Sequence, residues 1–545
     1  MDVIWWKQAI IYQIYPRSFC DSNGDGIGDL RGIISKIDYL VLLGIRAVWL
    51  NPVYDSPNDD MGYDIRDYNA IMREFGSIED MEYLIQLLHK NGIRIIMDLV
   101  INHTSDEHPW FIESRSSKES KTRDYYIWRN GKGKSEPNNW ASHFTPSAWT
   151  YDKNTDQYYL HIFSEKQPDL NWNNSFLRQE IKSMIHTWFS RGIDGFRMDA
   201  INLIAKNTKL PNHWGKSNDQ GYVFSYNSIA NQKKLHQYLR EIKRECFEPY
   251  EGMCVGETPH ISTHIGKKLA NAHRHELDMI FQNQFIELAN IAKRSDFPLM
   301  KFKKLVNRWQ NALDWNSLFW GNHDQPRIVS RLGDTSSSSR WKKSAKMLAL
   351  MLYCQKGTPF LYQGEELGMT NVPFQKPDDI RDIQAIVMIR EAKKYHHSEK
   401  TWNDILSFGR DNARTPLHWN SLDKAGFTKG TPWIMINPNY HIINVESELA
   451  DPDSILNFYR KLIALRQENP VFILGTFRQI YRWHPNIFAY TRNYLGKQYA
   501  VLCNFTSKSF ILKLNHKFQG GKVLLSNSSN PIDKFDEYEA KVIEF

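Results

Sequence analysis

Arg197 and Asp199 stand two residues apart at the end of the short apolar run Gly195–Met198. Side chains alternate between the two faces of a strand, so both of these side chains point to the same side. A guanidinium beside a carboxylate lowers the pKa of that carboxylate and keeps it ionised, as a carboxylate nucleophile must be. A structural ion pair at a strand end is the alternative. The presence of further carboxylates at the ends of neighbouring strands decides between the two.

Three other apolar runs also end in polar side chains, which are Asp98, Asn102, His103, Glu257, Asn322, His323 and Asp324. Clustered like charges destabilise a fold, so their convergence at one place favours a functional site. Two carboxylates flanking a bond are what glycoside hydrolysis needs, because one attacks the anomeric carbon or assists water while the other protonates the leaving oxygen. A separation of about 5 Å gives retention of configuration and a wider gap gives inversion, and sequence spacing leaves both open.

Short apolar runs alternate with amphipathic helical patterns along most of the chain, as expected for parallel strands buried on both faces. The clearest helix spans Ser77 to Asn91, with Ser77 as its N-cap and Gly92 after its end. Eight such units predict an α/β fold, a (β/α)8 TIM barrel with its site at the C-terminal strand ends. An open doubly wound sheet is the alternative. The predicted strands are Ile10–Ile14, Ala47–Leu50, Arg94–Leu99, Gly195–Met198, Met253–Gly256, Leu277–Phe281, Leu318–Trp320 and Phe360–Gln363.

The spacing of these runs also predicts the domain organisation. A polar stretch rich in Trp and Tyr separates the third strand from the fourth, and we expect it to form a subdomain over the barrel mouth. The end of the chain alternates in period two between turn residues, which is typical of an antiparallel β-sandwich. We expect the barrel in 1–103 and 173–470, with a helical and irregular insertion at about 373–453, the inserted subdomain in 104–172 and the sandwich in 471–545.

Composition excludes several classes of protein. The 69 Lys and Arg against 61 Asp and Glu give a net charge of +8 without a dense basic block, so nucleic-acid binding is not expected. The chain starts without a signal-like segment and has no window of about 18 apolar residues, so no membrane partner is expected. The five cysteines show no C-x-x-C spacing, which argues against a disulfide framework or a zinc site and favours a reducing compartment. We therefore expect a cytoplasmic protein. We also expect a monomer, with an oligomer as the alternative.

Taken together, the motifs resemble the α-amylase superfamily, glycoside hydrolase family 13, and most closely its oligo-1,6-glucosidase and α-glucosidase members. The similar segments are Asp98–His103, Gln167–Trp172, Gly195–Asp199, Glu257–Thr258 and Asn322–Asp324. The resemblance implies a retaining enzyme. In it, Asp199 would be the nucleophile, Glu257 the general acid/base and Asp324 the residue that stabilises the transition state by holding sugar hydroxyls.

The resemblance also implies how the reacting glucose is bound. His103, Arg197 and His323 would line its subsite, and Tyr63 would stack on its ring. Asp60 and Arg414 resemble a pair that grips the terminal glucose, which would make the enzyme exo-acting on short oligosaccharides; an ion pair between surface loops is the alternative. Leu417 and His418 depart from the Met-Gln that is usual in this motif. Weaker candidates, since a core aromatic near a barrel mouth looks the same in sequence, are Phe144, Phe163 and Gln167.

The loop Asp21–Asp29 places four oxygen-bearing side chains at alternating positions among glycines, as hard cations require. Its twelfth position is Gly32 and not the Glu of an EF-hand. The resemblance implies a structural Ca²⁺ or Mg²⁺, no organic cofactor, and a ligand set of Asp21, Asn23, Asp25, Asp29 and the Ile27 carbonyl. A plain turn of Asp, Asn and Gly residues is the alternative.

Ala200 follows the candidate nucleophile. In related enzymes Val at this position goes with α-1,6 cleavage, whereas Ala or Thr goes with α-1,4 preference, through the room left for the leaving sugar. We expect an α-1,4-preferring exo-α-glucosidase that acts on maltose-like sugars and sucrose.

Other functions on the same scaffold stay open. These are an oligo-1,6-glucosidase, a sucrose isomerase or transglucosidase, a trehalose-6-phosphate hydrolase and a non-catalytic interaction protein. The isomerase reading is disfavoured because no Arg-Leu-Asp-Arg-Asp run stands between Glu257 and Asn322. Trehalose-6-phosphate would need a basic cluster that the sequence does not reveal. A non-catalytic relative would tolerate lost carboxylates and need a membrane anchor, whereas all three carboxylates are present here.

Overall fold

The computed structural model describes residues 4–133, 135–289, 296–394, 396–514, 518 and 520–545. Its strands are β1 (Ile11–Ile14), β2 (Ala47–Leu50), β3 (Tyr54–Asp55), β4 (Asp67–Ile71), β5 (Arg94–Leu99), β6 (Trp128–Arg129), β7 (Trp149–Asp152), β8 (Gln157–Leu160), β9 (Gly195–Met198), β10 (Met253–Glu257), β11 (Met279–Phe281), β12 (Ser317–Leu318), β13 (Thr358–Tyr362), β14 (Thr476–Ile480), β15 (Ile487–Tyr494), β16 (Lys497–Asn504), β17 (Phe510–Ile511), β18 (Lys522–Ser526), β19 (Lys534–Phe535) and β20 (Ala540–Glu544).

Helices connect most of these strands and cover the outside of the central sheet. They are α1 (Trp5–Gln8), α2 (Leu30–Ile34), α3 (Ile37–Leu43), α4 (Ile78–Lys90), α5 (Pro109–Ser114), α6 (Ser175–Ser190), α7 (Tyr226–Ile229), α8 (Leu235–Ile242), α9 (Thr263–Leu269), α10 (Gln284–Ala289), α11 (Leu299–Ala312), α12 (Ile328–Leu332), α13 (Ser338–Tyr353), α14 (Ile383–Lys394), α15 (Ser398–Phe408), α16 (Asp411–Arg414), α17 (Val445–Ala450), α18 (Ile455–Glu468) and α19 (Val471–Leu474).

Eight parallel strands form the central sheet, in the order β11-β10-β9-β5-β2-β1-β13-β12. Nearly every residue in them is buried, which explains why each reads in the sequence as a short apolar run. Across the gap between β11 and β12, the Ser317 hydroxyl donates a hydrogen bond of 2.6 Å to the Ile280 carbonyl and joins the sheet's two edges. The predicted (β/α)8 barrel is confirmed, and the open doubly wound alternative is wrong.

Helix α4 shows how local sequence builds the outer layer. Ser77 Oγ accepts from the Asp80 N–H at 3.2 Å, and the Asp80 carboxylate accepts from the Ser77 N–H at 3.0 Å. This reciprocal capping box satisfies two N–H groups that a helix start leaves unpaired. The helix then buries one face, formed by Met81, Leu84, Ile85 and Leu88, and the chain turns at Gly92 with φ +69°. The sequence prediction for this helix is confirmed.

The long segment between β5 and β9 carries a three-stranded antiparallel sheet in the order β6-β8-β7, together with α5. Trp140, Trp149 and Leu160 from this segment share an apolar cluster with Ala200 and Leu203, which follow β9. The segment therefore packs directly on the chain that leaves Asp199. Its position fixes one wall of the barrel mouth.

A five-stranded antiparallel sheet, β14-β15-β16-β20-β18, ends the chain, beside the two-stranded sheet β17-β19. Alternate residues along each strand point to opposite faces of this sheet, because side chains on a strand alternate with a period of two residues. Tyr490 and Val501 belong to the main core shared with the barrel, whereas Ala489 and Leu502 pack in a separate cluster with Phe535 of β19. The predicted C-terminal antiparallel domain is confirmed.

Between β13 and α18 the chain forms α14 to α17 with short 3₁₀ turns, in a segment that returns to the barrel mouth. All five cysteines lie within the described ranges as buried free thiols, so none of them forms a disulfide there. Across the described ranges, no helix combines the length and apolarity needed to cross a membrane.

Candidate active site

Arg197 lies at the centre of the polar cluster and is almost completely buried. On β9 it stands directly beside Asp98 of β5 and Val255 of β10 in the parallel register. Its Nη1 donates to Asp199 Oδ1 at 2.8 Å and its Nη2 to Glu257 Oε2 at 2.7 Å. Nη1 also donates to Asp98 Oδ1. One guanidinium thus holds carboxylates from three adjacent strands, which is more than the structural ion pair at a strand end.

Asp98 fixes the orientation of this guanidinium. Its carboxylate is inaccessible to solvent. Its Oδ2 accepts from Trp49 Nε1 at 2.9 Å, from Asn51 Nδ2 at 3.2 Å and from the Tyr63 hydroxyl at 3.2 Å. A buried carboxylate is stable only when its oxygens are satisfied in this way. With Asp98 fully occupied by donors, Arg197 cannot rotate away from the other two carboxylates.

The net pKa shift of Asp199 differs from the sequence expectation. Burial raises the pKa of Asp199 well above its ordinary value, and the neighbouring charges of Glu257, Asp98 and Asp324 raise it further. Arg197 lowers it, as expected, but does not outweigh these effects. The expectation considered only the nearest charge and omitted desolvation and like charges. Ionisation of Asp199 therefore depends strongly on its bond to Arg197.

The opposite balance holds at Asp324. Burial raises the pKa of this carboxyl, but His323, Arg410 and Arg414 together lower it well below its ordinary value. Arg414 Nη2 donates to Asp324 Oδ1 at 2.8 Å, and Arg410 Nη1 donates to the same oxygen at 3.3 Å. Asp324 is therefore a stable anion, well suited to accept hydrogen bonds from hydroxyl groups.

The chain bends immediately after Asp199. Ala200 has φ +39°, in the left-handed region that few residues other than glycine adopt. This conformation directs the Ala200 N–H at Glu257 Oε2, 3.1 Å away. The side chains of Asp199, Glu257 and Asp324 are 11, 18 and 27% exposed, whereas that of Asp98 is 0% exposed. The first three carboxylates therefore face the barrel mouth, and Asp98 supports them from behind.

Tyr63 and His323 form a stacked pair, with ring centroids 5.2 Å apart and planes within 5°. Two amide groups, Gln13 Nε2 and Asn51 Nδ2, lie 2.9 and 3.2 Å from His323 Nδ1. Because both neighbours donate, Nδ1 is the acceptor and the ring proton resides on Nε2. Nε2 lies 3.2 Å from Asp324 Oδ2, close to this carboxylate but without a hydrogen bond to it.

His103, Gln167 and Phe163 line the side formed by the inserted segment. Gln167 Nε2 lies 3.2 Å from His103 Nε2 and donates to Asp60 Oδ2 at 3.3 Å. The ring of Phe163 packs edge-on against His103 at 5.1 Å, and Phe144 lies 5.6 Å from Phe163. Burial lowers the pKa of His103 to about 4. His103 is therefore neutral at physiological pH and serves as a hydrogen-bonding group.

Asp60 and Arg414 are both buried, so the alternative of a surface ion pair does not hold. They do not bond to each other directly, however. Arg410 lies between them, donating to Asp60 Oδ1 at 3.1 Å and to Asp324 at 3.3 Å. Arg410 also bonds to Asp382 through Nε at 2.8 Å. The expected two-residue pair is instead a network of five charged side chains.

Sequence reasoning missed Arg410 and Asp382. One signal was available: Arg410 and Arg414 are like charges four residues apart, a spacing that is unfavourable unless anions lie nearby. No comparable signal marked Asp382, which precedes an ordinary helical pattern. Trp49, Asn51 and Gln13 were also missed, because a polar group inside a barrel strand resembles any other strand residue in sequence.

The candidate metal loop is shaped by its own hydrogen bonds. Asp21 Oδ1 accepts from the Asn23 N–H, Asn23 Oδ1 from the Asp25 N–H, and Asp25 Oδ1 from the Ile27 N–H, at 2.9, 2.9 and 2.8 Å. Asp29 caps α2 by accepting from the Gly32 N–H at 2.6 Å. Among the residues that the structure describes, no group of three or more His, Cys, Asp and Glu side chains is placed to hold a metal ion. A plain turn of Asp, Asn and Gly residues, the alternative to a metal site, is therefore enough to explain the shape of this loop.

Lys206 joins the barrel to the inserted segment. Its ammonium lies 2.5 Å from Asp169 Oδ2 and donates to Asn102 Oδ1 at 2.6 Å. Both Lys206 and Asp169 are buried. Asn102 precedes His103, and Asp169 pairs with His103 through a β-bridge. The lysine therefore fixes the point at which the inserted segment meets the site.

We predict that Lys206→Met lowers the free energy of unfolding by about 3 to 5 kcal/mol, because it leaves the buried Asp169 carboxylate without its counter-charge. Chemical denaturation followed by tryptophan fluorescence measures this loss. The control is Lys209→Met, an exposed lysine three residues further on, which should change stability by less than about 0.5 kcal/mol. Equal stability of the two variants would show that Lys206 has no such role.

A parallel barrel that gathers several carboxylates, a neutral histidine and aromatic rings at its C-terminal face is typical of glycoside hydrolases. Residues 13–475 match the family model described as "Alpha amylase, catalytic domain". The chain belongs to this alpha-amylase family and is a glycoside hydrolase, as the sequence motifs predicted.

Several characterised proteins are similar over the whole chain. The oligo-1,6-glucosidase of Bacillus cereus is 48% identical over 560 residues, covering 100% of both chains. The alpha-glucosidase of Pediococcus pentosaceus is 44% identical, covering 99% of each. Among solved structures, trehalose-6-phosphate hydrolase of Bacillus licheniformis has a TM-score of 0.92 at 40% identity, covering 99% of this chain and 100% of that one. A trehalulose synthase variant has a TM-score of 0.94 at 39% identity, covering 100% of both.

Proposed function

We propose that the protein is a retaining, exo-acting α-glucosidase that removes terminal glucose from short oligosaccharides. One observation carries the proposal: the two terminal nitrogens of Arg197 hold Asp199 and Glu257 at 2.8 and 2.7 Å. Carboxylates on one guanidinium lie close together. A separation of about 5 Å is the arrangement of retaining glycosidases, and inverting ones need room for a water molecule between the two groups.

In this mechanism Asp199 attacks the anomeric carbon while Glu257 protonates the departing glycosidic oxygen. The result is a covalent glycosyl-enzyme, which water hydrolyses after Glu257 has removed its proton. Asp324 accepts hydrogen bonds from sugar hydroxyls and strengthens them as positive charge develops on the ring. Tyr63, stacked on His323, offers an aromatic face to the glucose ring.

We base the exo mode on the buried charges of Asp60, Arg410 and Arg414. Arg410 bonds to Asp60 and Asp324, and Arg414 bonds to Asp324; we propose that these charges block the path of a longer chain. Carboxylates and guanidinium groups at such an end recognise the hydroxyls of a terminal sugar. His103, Gln167 and Phe163 complete this glucose subsite on the side of the inserted segment.

Linkage preference rests on Ala200, whose small side chain is buried in the apolar cluster beside the site. We propose α-1,4 preference, with maltose-like sugars and sucrose as substrates. An oligo-1,6-glucosidase is the second candidate, because the relative at 48% identity carries that name. Sucrose isomerisation is a further alternative, which the likeness to a trehalulose synthase supports.

A panel of maltose, isomaltose, sucrose and trehalose-6-phosphate tests this proposal. Maltose should be hydrolysed with the higher kcat/KM, and Ala200→Val should shift the maltose-to-isomaltose ratio about tenfold toward isomaltose. The control is Ala450→Val, an exposed position on α17, which should leave the ratio unchanged. Faster hydrolysis of isomaltose by the unmodified protein would contradict the preference. Isomerised products from sucrose would instead support the isomerase.

The roles of the carboxylates can be separated with α-glucosyl fluoride, which needs no acid to release fluoride. Asp199→Asn should reduce turnover of this substrate to less than about one thousandth. Activity requires ionised Asp199, whose raised pKa places the acid limb of kcat/KM above the pH expected of an ordinary aspartate. The charge of Glu257 contributes to that rise, so Glu257→Gln should move the limb to lower pH.

The control for this pH profile is Glu251→Gln, at an exposed position before β10, which should leave the acid limb where it is. A limb unmoved by Glu257→Gln would show that the two carboxylates are not coupled. Retention is checked independently, by following the anomer that is first released from maltose with NMR.

We propose a structural Ca²⁺ or Mg²⁺ at the loop Asp21–Asp29, held by Asp21, Asn23, Asp25, Asp29 and the Ile27 carbonyl. Asn23 Oδ1, Asp25 Oδ1 and Asp29 Oδ1 each accept a single N–H and keep a lone pair for an ion, which supports the proposal. Both Asp21 oxygens already accept two hydrogen bonds each, so an ion would have to replace some of them. Bound metal stabilises the folded state, so chelation should lower the Tm and added Ca²⁺ should restore it. Asp25→Ala should remove this response while leaving kcat unchanged. A Tm insensitive to chelator would contradict the metal site.

The buried free thiols support a reducing environment, and we propose that the protein is cytoplasmic. We also propose that it acts as a monomer on small oligosaccharides, without an organic cofactor.

A further inference from the structure

The loop that leads to Tyr63 is shaped by one buried carboxylate, that of Asp64, which is inaccessible to solvent. Its Oδ1 accepts from the Asp60 N–H at 2.9 Å and from the Ser56 hydroxyl at 3.0 Å. Its Oδ2 accepts from the Asp59 N–H at 2.9 Å. Two successive N–H groups that converge on one anion form a backbone nest, and here the chain's own carboxylate fills it. Asp64 therefore fixes the backbone at Asp59 and Asp60.

The conformation of this loop needs such support. Asn58, Met61 and Gly62 have φ angles of +66°, +49° and +99°. Left-handed conformations at residues other than glycine persist only where the surrounding structure enforces them. Asp60 lies between two such residues, and the bond from its N–H to Asp64 holds it there.

The side-chain bonds of Asp60 are weaker restraints than its backbone. Gln167 donates to Asp60 Oδ2 at 3.3 Å, and Arg410 donates to Oδ1 at 3.1 Å. Both distances are longer than those of strong hydrogen bonds to a carboxylate. The position of the Asp60 carboxylate therefore depends on the backbone that Asp64 holds.

Tyr63 directly precedes Asp64 but is held independently of it. Its hydroxyl accepts from Asn51 Nδ2 at 2.7 Å and donates to Asp98 Oδ2 at 3.2 Å, both inside the barrel. Loss of the Asp64 carboxylate should therefore displace Asp60 and leave the ring of Tyr63 in place.

We propose that Asp64 is a positioning residue that directs Asp60 at the terminal sugar. This inference rests on the proposed function, in which Asp60 belongs to the glucose subsite, and it adds a residue that does not itself touch the sugar. Ionised Asp64 accepts hydrogen bonds at both oxygens. Protonation turns one of these oxygens into a donor, so the nest loses an acceptor as well as its charge.

Asp64 changes its charge close to neutral pH. Burial raises the pKa of Asp64 to about 7, and the charges of Asp60 and Asp59 contribute to the rise, while the two N–H groups oppose it. Asp64 is therefore ionised above this pH and protonated below it, and affinity for the terminal sugar should fall as the pH is lowered through about 7. Charged groups from other elements also face this loop, at Asp59, Asp60 and Asn58; they are Lys166, Arg410, Arg17 and Glu74.

The test is a double-mutant cycle at about pH 8.5 with p-nitrophenyl α-D-glucopyranoside. Asp64→Asn directs an amide group at one of the two N–H groups, so it should raise KM about tenfold and change kcat by less than about threefold. In the background of Asp60→Ala, the same substitution should change KM by less than about twofold, because the carboxylate through which Asp64 acts is gone. The control is Asp67→Asn, at an exposed carboxylate that also accepts a backbone N–H, from Asn69 at 2.8 Å; its KM should equal that of the unmodified protein.

The pH dependence of binding gives a second readout, which a general loss of stability would not move. In Asp199→Asn, where maltose binds without turnover and Asp199 no longer titrates, calorimetry should show weaker binding of maltose as the pH falls through about 7. Adding Asp64→Asn should remove this dependence. Ser56→Ala keeps Asp64 but removes a donor to its anion, so the midpoint should move about half a unit to higher pH.

Ser56→Ala also keeps the proposal falsifiable if Asp64→Asn does not fold. Equal effects of Asp64→Asn on KM with and without the Asp60 carboxylate would overturn the positioning role. A pH dependence that persists in Asp64→Asn, or a midpoint that Ser56→Ala does not move, would overturn it as well. Absence of glucose release by the unmodified protein, with maltose still bound, would overturn only the proposed function.

Discussion

The structure of the site depends on one buried guanidinium. Arg197 is inside the barrel with three carboxylates from three adjacent strands, and a charge so buried is stable only if its partners are in place. The parallel register brings those partners together, because Asp98 stands beside Arg197 on the next strand. Pairing of β5, β9 and β10 therefore assembles this part of the site, since neither the arginine nor the carboxylates are stable in the interior alone.

Two segments outside the barrel complete the site by the same principle. The inserted segment contributes Gln167 and is joined to the barrel through Lys206 and Asp169. The segment that carries α14 to α16 contributes Arg410, Arg414 and Asp382. Each segment brings at least one charge that pairs with an opposite charge at the mouth: Asp169 pairs with Lys206, and Arg410 and Arg414 pair with Asp324. Electrostatic pairing, together with apolar packing, therefore determines the position of these otherwise irregular segments at the barrel mouth.

The barrel could be predicted from sequence because each buried strand appears there as a short apolar run that ends in a polar residue such as Glu257. The polar residues at those ends indicated the family for the same reason. Two features of the site produce no recognisable local pattern in the sequence. Arg410 bonds to a carboxylate 350 residues away, and nothing near either residue specifies that pairing. The net pKa shift of Asp199 depends on burial and on charges from separate strands, which a neighbouring arginine alone does not reveal.

The charges in the network also have a consequence for the reaction. Six carboxylates, those of Asp60, Asp98, Asp199, Glu257, Asp324 and Asp382, bond to three guanidinium groups, those of Arg197, Arg410 and Arg414. The site therefore carries an excess of negative charge even when Glu257 holds the proton it donates. An oxocarbenium-like transition state is positive, and a preorganised negative site stabilises it more than the neutral sugar. The arginines limit this excess of negative charge, so that the empty site remains stable. They also hold the carboxylates so that the negative charge faces the anomeric carbon.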